Sequence, residues 1–331
     1  MGASPGREPL EFSGDMERYD RLARSMGYDD EKGSEWRSHV QSNRKSTQTQ
    51  VVHSLMDGGR TLDEEFRMTY KAARHEAIWL GESLRNFAER ALIDDVMALV
   101  KGGKEANVYL CRLSAASNAG LAAAKVYRPR SLRNLRNDKM YREGRELIDT
   151  KGVAIKQRNN REMRAIANKS SFGQELTHIS WLMHEYTTLA RLHAAGAAVP
   201  RPIAAAENAI LMEYVGDKQR PAPVLHGVGL ASAEAARLLN EVLRNVGILL
   251  SMGLVHGDLS AYNVLYWQGK ITLIDFPQVT LTESNSNAWR ILRRDVRRVC
   301  EYFALQGVDA DADRLARQLW DEHVRLPVTD A

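Results

Sequence analysis

Apolar residues recur at helical intervals between Leu62 and Val100: Phe66, Tyr70 and Ala73, then Leu84, Phe87 and Ala91, then Val96, Leu99 and Val100. This spacing predicts helices packed on one face throughout that stretch. The pattern then switches. Ala106 to Arg112 reads as a strand and Gly120 to Tyr127 as its hairpin partner, ended by Pro129. Weak helical spacing follows, with Gly144, Gly152 and Gly173 as breaks. Trp181 to Ala195 reads as a helix with Leu182, Tyr186, Leu189 and Leu192 on one stripe and Gly196 as its stop. Ala209 to Val215 reads as a buried strand. Ala233 to Met252 is an amphipathic helix with Leu239, Leu243, Val246 and Leu250 inward, Ser232 as its cap and Gly253 at its end. Two short strands, Val264 to Tyr266 and Lys270 to Ile274, precede a helical region from Trp289 to Val324, and no internal repeat is present.

Composition adds a class and a location. The 331 residues are 44% hydrophobic and 27% charged, which is ordinary for a globular protein with a real core. There is no apolar run long enough to cross a bilayer, and Met1 to Ser13 has no secretory apolar core. Cys111 and Cys300 make neither a disulfide framework nor a metal site, so a cytoplasmic protein with two reduced thiols is expected. The segment from Met1 to about Gly59 is polar and buries little, so 1–60 is expected to be flexible and 61–91 to be a helical extension. The net charge of +4 is uneven. Arg128 to Lys169 holds 13 Lys/Arg against 5 Asp/Glu, a local +8, so the rest sums to −4. Such a surplus suits a phosphorylated, acidic or nucleic-acid partner, RNA or a ribosomal particle among them, or equally a plain solvated helix face.

Candidate chemistry lies between the second amphipathic helix and the strands after it. His256-Gly257-Asp258-Leu259-Ser260-Ala261-Tyr262-Asn263 has the Asp-to-Asn spacing of a kinase catalytic loop. A carboxylate must orient an attacking hydroxyl and accept its proton, the role expected of Asp258. A carboxamide oxygen can hold a metal that bridges phosphates, the role expected of Asn263. Twelve residues on, Asp275 ends an apolar strand in Ile274-Asp275-Phe276-Pro277-Gln278 and is expected to be the second metal ligand. Pro277 stiffens the loop that follows. Upstream, Lys125 in Ala122-Ala123-Ala124-Lys125-Val126-Tyr127 is placed to hold the α- and β-phosphates. The turn Gly102-Gly103-Lys104-Glu105 can lay backbone amides over phosphates. Glu185 is the expected carboxylate partner of Lys125, with Glu175 as its substitute. The strand Ile210 to Val215 leads into a hinge, where the Glu213 carbonyl and Val215 N–H would meet adenine and Met212 would line the pocket. His256 beside Asp258 reads as a loop anchor rather than a general base, and Trp181 and Trp289 read as core.

Together these residues resemble the RIO family of atypical protein kinases over roughly Leu92 to Arg325. Gly-Lys-Glu-Ala-Asn-Val-Tyr at 103–109, His-Gly-Asp-Leu-Ser-Ala-Tyr-Asn at 256–263 and Ile-Asp-Phe-Pro-Gln at 274–278 carry the resemblance. It implies an α+β fold of two lobes in a trimmed kinase arrangement, with an N-lobe at 92–212, a flexible insertion at 128–175 and a helical C-lobe at 213–331. It also implies binding of ATP with Mg2+ or Mn2+, a protein substrate, and serine autophosphorylation. In some members the aspartate matching Asp275 takes phosphate transiently, so an ATPase-like cycle is a further expectation. The first two motifs look Rio1-like, whereas Asp-Phe-Pro-Gln looks Rio2-like.

Two rival functions share part of this pattern. A small-molecule kinase of the aminoglycoside or choline type has the His-Gly-Asp…Asn and Ile-Asp skeleton, but the Lys-Glu-Ala-Asn-Val-Tyr hairpin and Gln278 argue against it. A nucleotide-gated RNA or ribosome-binding module would use the basic stretch as its phosphate-backbone surface. Gly257 stands where many kinases carry the arginine that reads a phosphorylated activation loop. Only 56 residues follow Asp275, too few for the usual activation segment and peptide-docking lobe. Short generic peptides are therefore expected to be poor acceptors. Steady-state transfer from labelled ATP at the rate of a conventional kinase would contradict that expectation.

Overall fold

The computed structural model describes residues 67–117, 119–128, 147–149, 160–168, 170–206 and 208–324. The expected flexible segment 1–60 and most of the basic stretch 128–169 lie outside the described residues. The described chain forms two compact units, the first built on 67–128 and 204–211 and the second on 176–203 and 212–324.

The first unit is a six-stranded sheet with a helix. Strand β1 (Arg67–Met68) runs parallel to β2 (Ile93–Lys101), and β2 pairs antiparallel with β3 (Ala106–Leu113). The hairpin expected from the sequence forms between β3 and β4 (Gly120–Tyr127), in unbroken register from Ala106↔Tyr127 to Leu113↔Gly120. Strands β5 (Pro202–Ala206) and β6 (Ala209–Glu213) complete the order β1-β2-β3-β4-β6-β5. Helix α1 (Arg74–Glu89) buries Trp79, Leu80, Leu84 and Phe87. Asp95 is buried on β2 without being orphaned. Its carboxylate accepts from the Thr69 amide at 2.8 Å and the Thr69 hydroxyl at 2.7 Å, which ties β1 to β2.

Two expectations fail here. Tyr70 and Ala73 belong to no helix: they lie between strand β1 and α1, which starts only at Arg74. Val96, Leu99 and Val100 belong to strand β2, not to a helix. The strand has register irregularities after Ile93, Val96 and Leu99, so its buried positions do not alternate and its apolar spacing mimics a helix. Leu99 is in fact exposed.

The second unit is mostly helical. Helix α2 (Asn160–Ala167) precedes α3 (Ser171–Ala194), which begins ten residues before the expected Trp181 start. Gly173 is not a break but lies inside α3, where one glycine costs little against a long helix. Gly196, at φ +77, lies just beyond its end. Helix α4 (Ser232–Ser251) buries Leu239, Val246 and Leu250 as expected. Ser232 is not its cap. Ala231 occupies that position with no side-chain bond, and Ser232 is the first helical residue, its hydroxyl close to Gly307. Trp181 is buried, and Trp289 packs edge-on against Trp320, so both are core residues.

Strand β7 (Leu254–Val255) pairs with β10 (Thr280–Leu281), and β8 (Val264–Trp267) forms a hairpin with β9 (Lys270–Leu273). Helices α5 (Ala288–Leu305) and α6 (Ala312–His323) pack with α4 around one apolar core. Asn245, fully buried on α4, accepts from the Ala198 amide at 2.6 Å and donates to the Glu241 carbonyl at 2.8 Å, so no polar group is stranded there. No helix among the described residues is long and apolar enough to cross a membrane.

Asp313 on α6 receives hydrogen bonds from Arg293 and Arg297 on α5, the Arg293 pair running through two nitrogens at 2.8 and 2.5 Å. The Arg293 hydrogen bond, foremost, pulls the carboxyl down to about 2 from an ordinary 3.8. A depressed carboxyl stabilises the fold above its unfolded value and loses that contribution as pH falls through its folded value. At low ionic strength the wild-type thermal midpoint should fall between pH 3.8 and about 2 more steeply than that of Asp313→Asn. High salt should shrink the difference, because the pair is solvent-exposed. Parallel melting curves in both proteins would remove the clamp from the pH dependence.

Candidate active site

The segment from His256 to Asn263 leaves β7, turns once, and enters β8 through a short 3-10 turn at Ala261–Asn263. Its shape is set by backbone bonds to buried side chains. The Gly257 amide donates to Asp295 Oδ2 at 2.9 Å, and the Gly257 carbonyl accepts from the Arg294 guanidinium. Gly257 has φ +88, and a Cβ there would overlap the Gln278 carbonyl, so only glycine fits. His256 is buried against Phe276, with ring centroids 5.0 Å apart. Its Nδ1 accepts from the Asp258 amide at 3.3 Å, which leaves Nε2–H to donate to the Ile274 carbonyl at 3.2 Å. Burial pushes its pKa down, in keeping with that neutral tautomer. The histidine thus anchors the loop to the strand end opposite it.

That strand end carries Asp275. The β8–β9 hairpin pairs Val264 with Leu273, and one step further the Ile274 amide donates to the Asn263 carbonyl at 3.0 Å. Register therefore brings residue 263 alongside 274, and places Asp275 next to it in the chain. The Asn263 carboxamide nitrogen donates to the Asp258 carbonyl at 2.9 Å and to Asp258 Oδ2 at 3.2 Å. With the nitrogen so used, the carboxamide oxygen is the atom left for a cation. Asp275 has φ +73, a left-handed conformation that non-glycine residues seldom adopt. Among the described residues no three His, Cys, Asp or Glu side chains gather as a metal cage. An Asn and an Asp beside phosphate oxygens is nonetheless a donor set that suits Mg2+, which usually takes one or two protein groups.

The sequence reading missed the contribution of α5. Asp295 is buried at 1% exposure, and Arg294 binds its other oxygen at 2.8 Å. Burial, foremost, pushes the Asp295 carboxyl up, while His256 and Arg294 oppose the rise. Arg298, one turn further, donates to Asp258 Oδ1 at 3.0 Å. A signal for Asp295 existed: it sits on the same stripe as Ile291, Leu292, Val296 and Val299, and a carboxylate on an apolar stripe needs partners. Arg298 had none, since an arginine on an exposed helix face is ordinary.

The first unit holds the phosphate-side candidates. Lys125 lies on β4 opposite Val108, with its ammonium 5.4 Å from the Tyr127 ring centroid. Gly102, Gly103, Lys104 and Glu105 form the turn between β2 and β3. Asn107 braces that turn: its Oδ1 accepts from the Gly103 amide at 3.3 Å, and its Nδ2 donates to the Tyr109 hydroxyl at 2.9 Å. Tyr109 in turn donates to Glu76 on α1 at 2.7 Å. A Cβ on Gly103 would lie 2.6 Å from the Ala106 carbonyl oxygen, so the turn is closed tightly there. Neither Asn107 nor Glu76 was singled out from the sequence, because both act through the turn rather than on a ligand.

Glu185 is buried on α3 in the second unit, whereas Lys125 lies in the first. The side chain of Glu175 is not among those described. Met212 packs against the core of the second unit. Glu213 Oε2 accepts from the Arg201 amide at 3.0 Å, and the Val215 carbonyl accepts from Ala222 at 2.9 Å.

Comparison with known proteins places these residues in context. The family model of the RIO domain matches residues 108–315. The chain is 39% identical over 137 residues to the RIO-type serine/threonine-protein kinase Rio1 of Haloferax volcanii, covering 41% of this chain and 46% of that protein. It is 31% identical over 242 residues to the serine/threonine-protein kinase RIO1 of Chaetomium thermophilum, covering 69% of this chain and 43% of that one. Against the RIO-type kinase Rio1 of Thermoplasma acidophilum it is 31% identical over 135 residues, 41% of this chain and 69% of the relative. The chain thus spans less than half the length of the first two of these relatives.

Replacing Asp295 tests the buried knot behind the loop. Asp295→Ala strands the Gly257 amide and takes a partner from the half-buried Arg294, and should cost about 1–3 kcal/mol in urea unfolding, the cost of a buried donor left unsatisfied. Asp295→Asn keeps one acceptor for the Gly257 amide and should cost less. Equal unfolding midpoints for wild type and Asp295→Ala would remove the knot from the stability of this unit.

Proposed function

This chain belongs to the RIO family, and on that premise we propose that it is an ATP-dependent serine/threonine protein kinase of RIO type. It would transfer the γ-phosphoryl group of ATP to a protein hydroxyl, its own serines included. The observation that carries this reading is the cluster formed by Asp258, Asn263 and the Ile274–Asp275 strand end, held together by the 3.2 Å Asn263–Asp258 bond and the 3.0 Å Ile274–Asn263 bond. Nothing in the comparisons supports the small-molecule kinase. The basic stretch that would serve an RNA-binding module or a ribosomal partner lies largely outside the described residues.

Each residue has a chemical task. Asp258 orients the acceptor hydroxyl and takes its proton. Asn263 and Asp275 would hold Mg2+ or Mn2+, which would supply charge neutralisation to the phosphates. Lys125 and the backbone of 102–105 hold the phosphate chain, with Glu185 orienting the lysine. Met212, Glu213 and Val215 receive adenine. The lobes would divide near 212, with the insertion at 128–175 in the first and 61–91 as an extension before it. The left-handed backbone of Asp275 is a constrained conformation at a position that either binds metal only or also carries phosphate, as in an ATPase-like cycle. The two thiols take no part, since both are buried and burial pushes them up, Cys300 to about 11. Unpaired thiols of this kind favour a cytoplasmic location.

Incubation with labelled ATP and Mg2+ tests the assignment. Asp258→Ala and Asp275→Ala should each lose autophosphorylation and ATP hydrolysis by about a hundredfold or more. Unchanged turnover in either variant would remove that residue from its role.

A further inference from the structure

Asp258 has a partner that a proton acceptor does not need. Arg298 Nη1 donates to Asp258 Oδ1 at 3.0 Å, and both side chains are about two-fifths exposed, at 42% and 40%. The other arginines nearby on α5 are committed elsewhere. Arg294 binds the Gly257 carbonyl and Asp295, while Arg293 and Arg297 bind Asp313. Arg298 spends one of its five N–H donors on Asp258, and the half-exposed guanidinium presents others to solvent.

This pairing sets up a competition. The other oxygen of Asp258 already accepts from Asn263. The guanidinium therefore sits on the carboxylate oxygen that an acceptor hydroxyl would approach. An exposed ion pair is weak, so a stronger anion arriving with the acceptor can take the guanidinium over. Arginine is suited to that exchange, because its planar fork binds carboxylate and phosphate with two parallel bonds.

We propose that Arg298 is a specificity-determining residue, which makes this site select protein hydroxyls flanked by a carboxylate or a phosphate. The proposal rests on the kinase reading above. In the transfer step the acceptor oxygen bonds to the γ-phosphorus and the bond to the β,γ-bridging oxygen breaks. ADP leaves with that electron pair, and the hydroxyl proton passes to Asp258. The flanking anion engages Arg298 and frees Asp258 Oδ1 for that proton.

The experiment uses the full chain with ATP and Mg2+, and peptides carrying one acceptor serine flanked by Gln, Glu, phosphoserine or Lys. Wild type should prefer the Glu peptide over the Gln peptide by on the order of tenfold in kcat/KM, and the phosphoserine peptide by more. A preference for phosphoserine alone would assign the site to phosphate rather than to carboxylate. Arg298→Gln should flatten the series, and Arg298→Glu should turn it toward the Lys peptide. Equal kcat/KM across the wild-type series, or a preference that survives Arg298→Gln, overturns the proposal. A second measurement needs no transfer. Fluorescence anisotropy of the labelled phosphoserine peptide, with a non-hydrolysable ATP analogue and Mg2+, should show tighter binding than for the Gln peptide in wild type but not in Arg298→Gln. Equal binding in the two proteins overturns the proposal too. Failure of the kinase reading would appear separately, as absent ATP turnover in wild type.

Discussion

Asp295 accepts a hydrogen bond from the Gly257 amide at 2.9 Å while Arg294 bridges from its second oxygen to the Gly257 carbonyl. One residue of the loop is thereby bonded through both its amide and its carbonyl to a single turn of α5. A carboxylate at 1% exposure is expensive unless its lone pairs are used, and here the loop backbone uses them. The arrangement works in both directions. The helix must carry a charged residue on its apolar stripe, and the loop must hold Gly257 at φ +88 to present its amide. Once that unit is fixed, the positions of His256 and Asp258 on either side follow from chain geometry.

A second constraint brings the distant half of the cluster into place. Asn263 and Asp275 are twelve residues apart, and a tight hairpin removes that separation. Its turn is Gln268-Gly269, with φ +49 and +76, and two successive positive φ values match the right-handed twist of the flanking strands. The resulting register sets residue 263 beside residue 274. His256 bonds to the carbonyl of that same residue 274, so the loop and the strand end brace one another through a neutral ring. Asp275 then leaves the strand in the left-handed region, and the chain can hold it there because its neighbours on both sides are fixed: the Ile274 backbone is bonded and Phe276 is buried.

How much of this is readable in a sequence depends on the range of the interaction. The β3–β4 hairpin, the inward stripe of α4, the β8–β9 pair and the residues of 256–263 and 275 are all local patterns, and each could be read from neighbours in the chain. The reading failed where a non-local term overrode the local one. Bulges in β2 disguised a strand as a helix at Val96 to Val100. The length of α3 carried it through Gly173. The start of α4 took Ala231 as its cap although Ser232 is the better capping residue by type. Asp295 and Arg298 went unnoticed for a related reason: the loop group that gives each its meaning is bonded across the fold, about forty residues away.

The glycine at 257 ties these points together. In a loop where many kinases carry an arginine, this sequence has an uncharged residue. The structure gives a steric reason, because any Cβ at 257 would strike the Gln278 carbonyl once the amide points at Asp295. A loop whose backbone is bonded to the helix in this way cannot also display an arginine from the same position. Guanidinium groups reach the loop from α5 instead, Arg294 at the Gly257 carbonyl and Arg298 at the Asp258 carboxylate. Moving the cation from loop to helix changes what it can respond to. An arginine within the loop moves only when the loop moves, whereas one on a separate, rigid helix can release Asp258 while the loop stays in place.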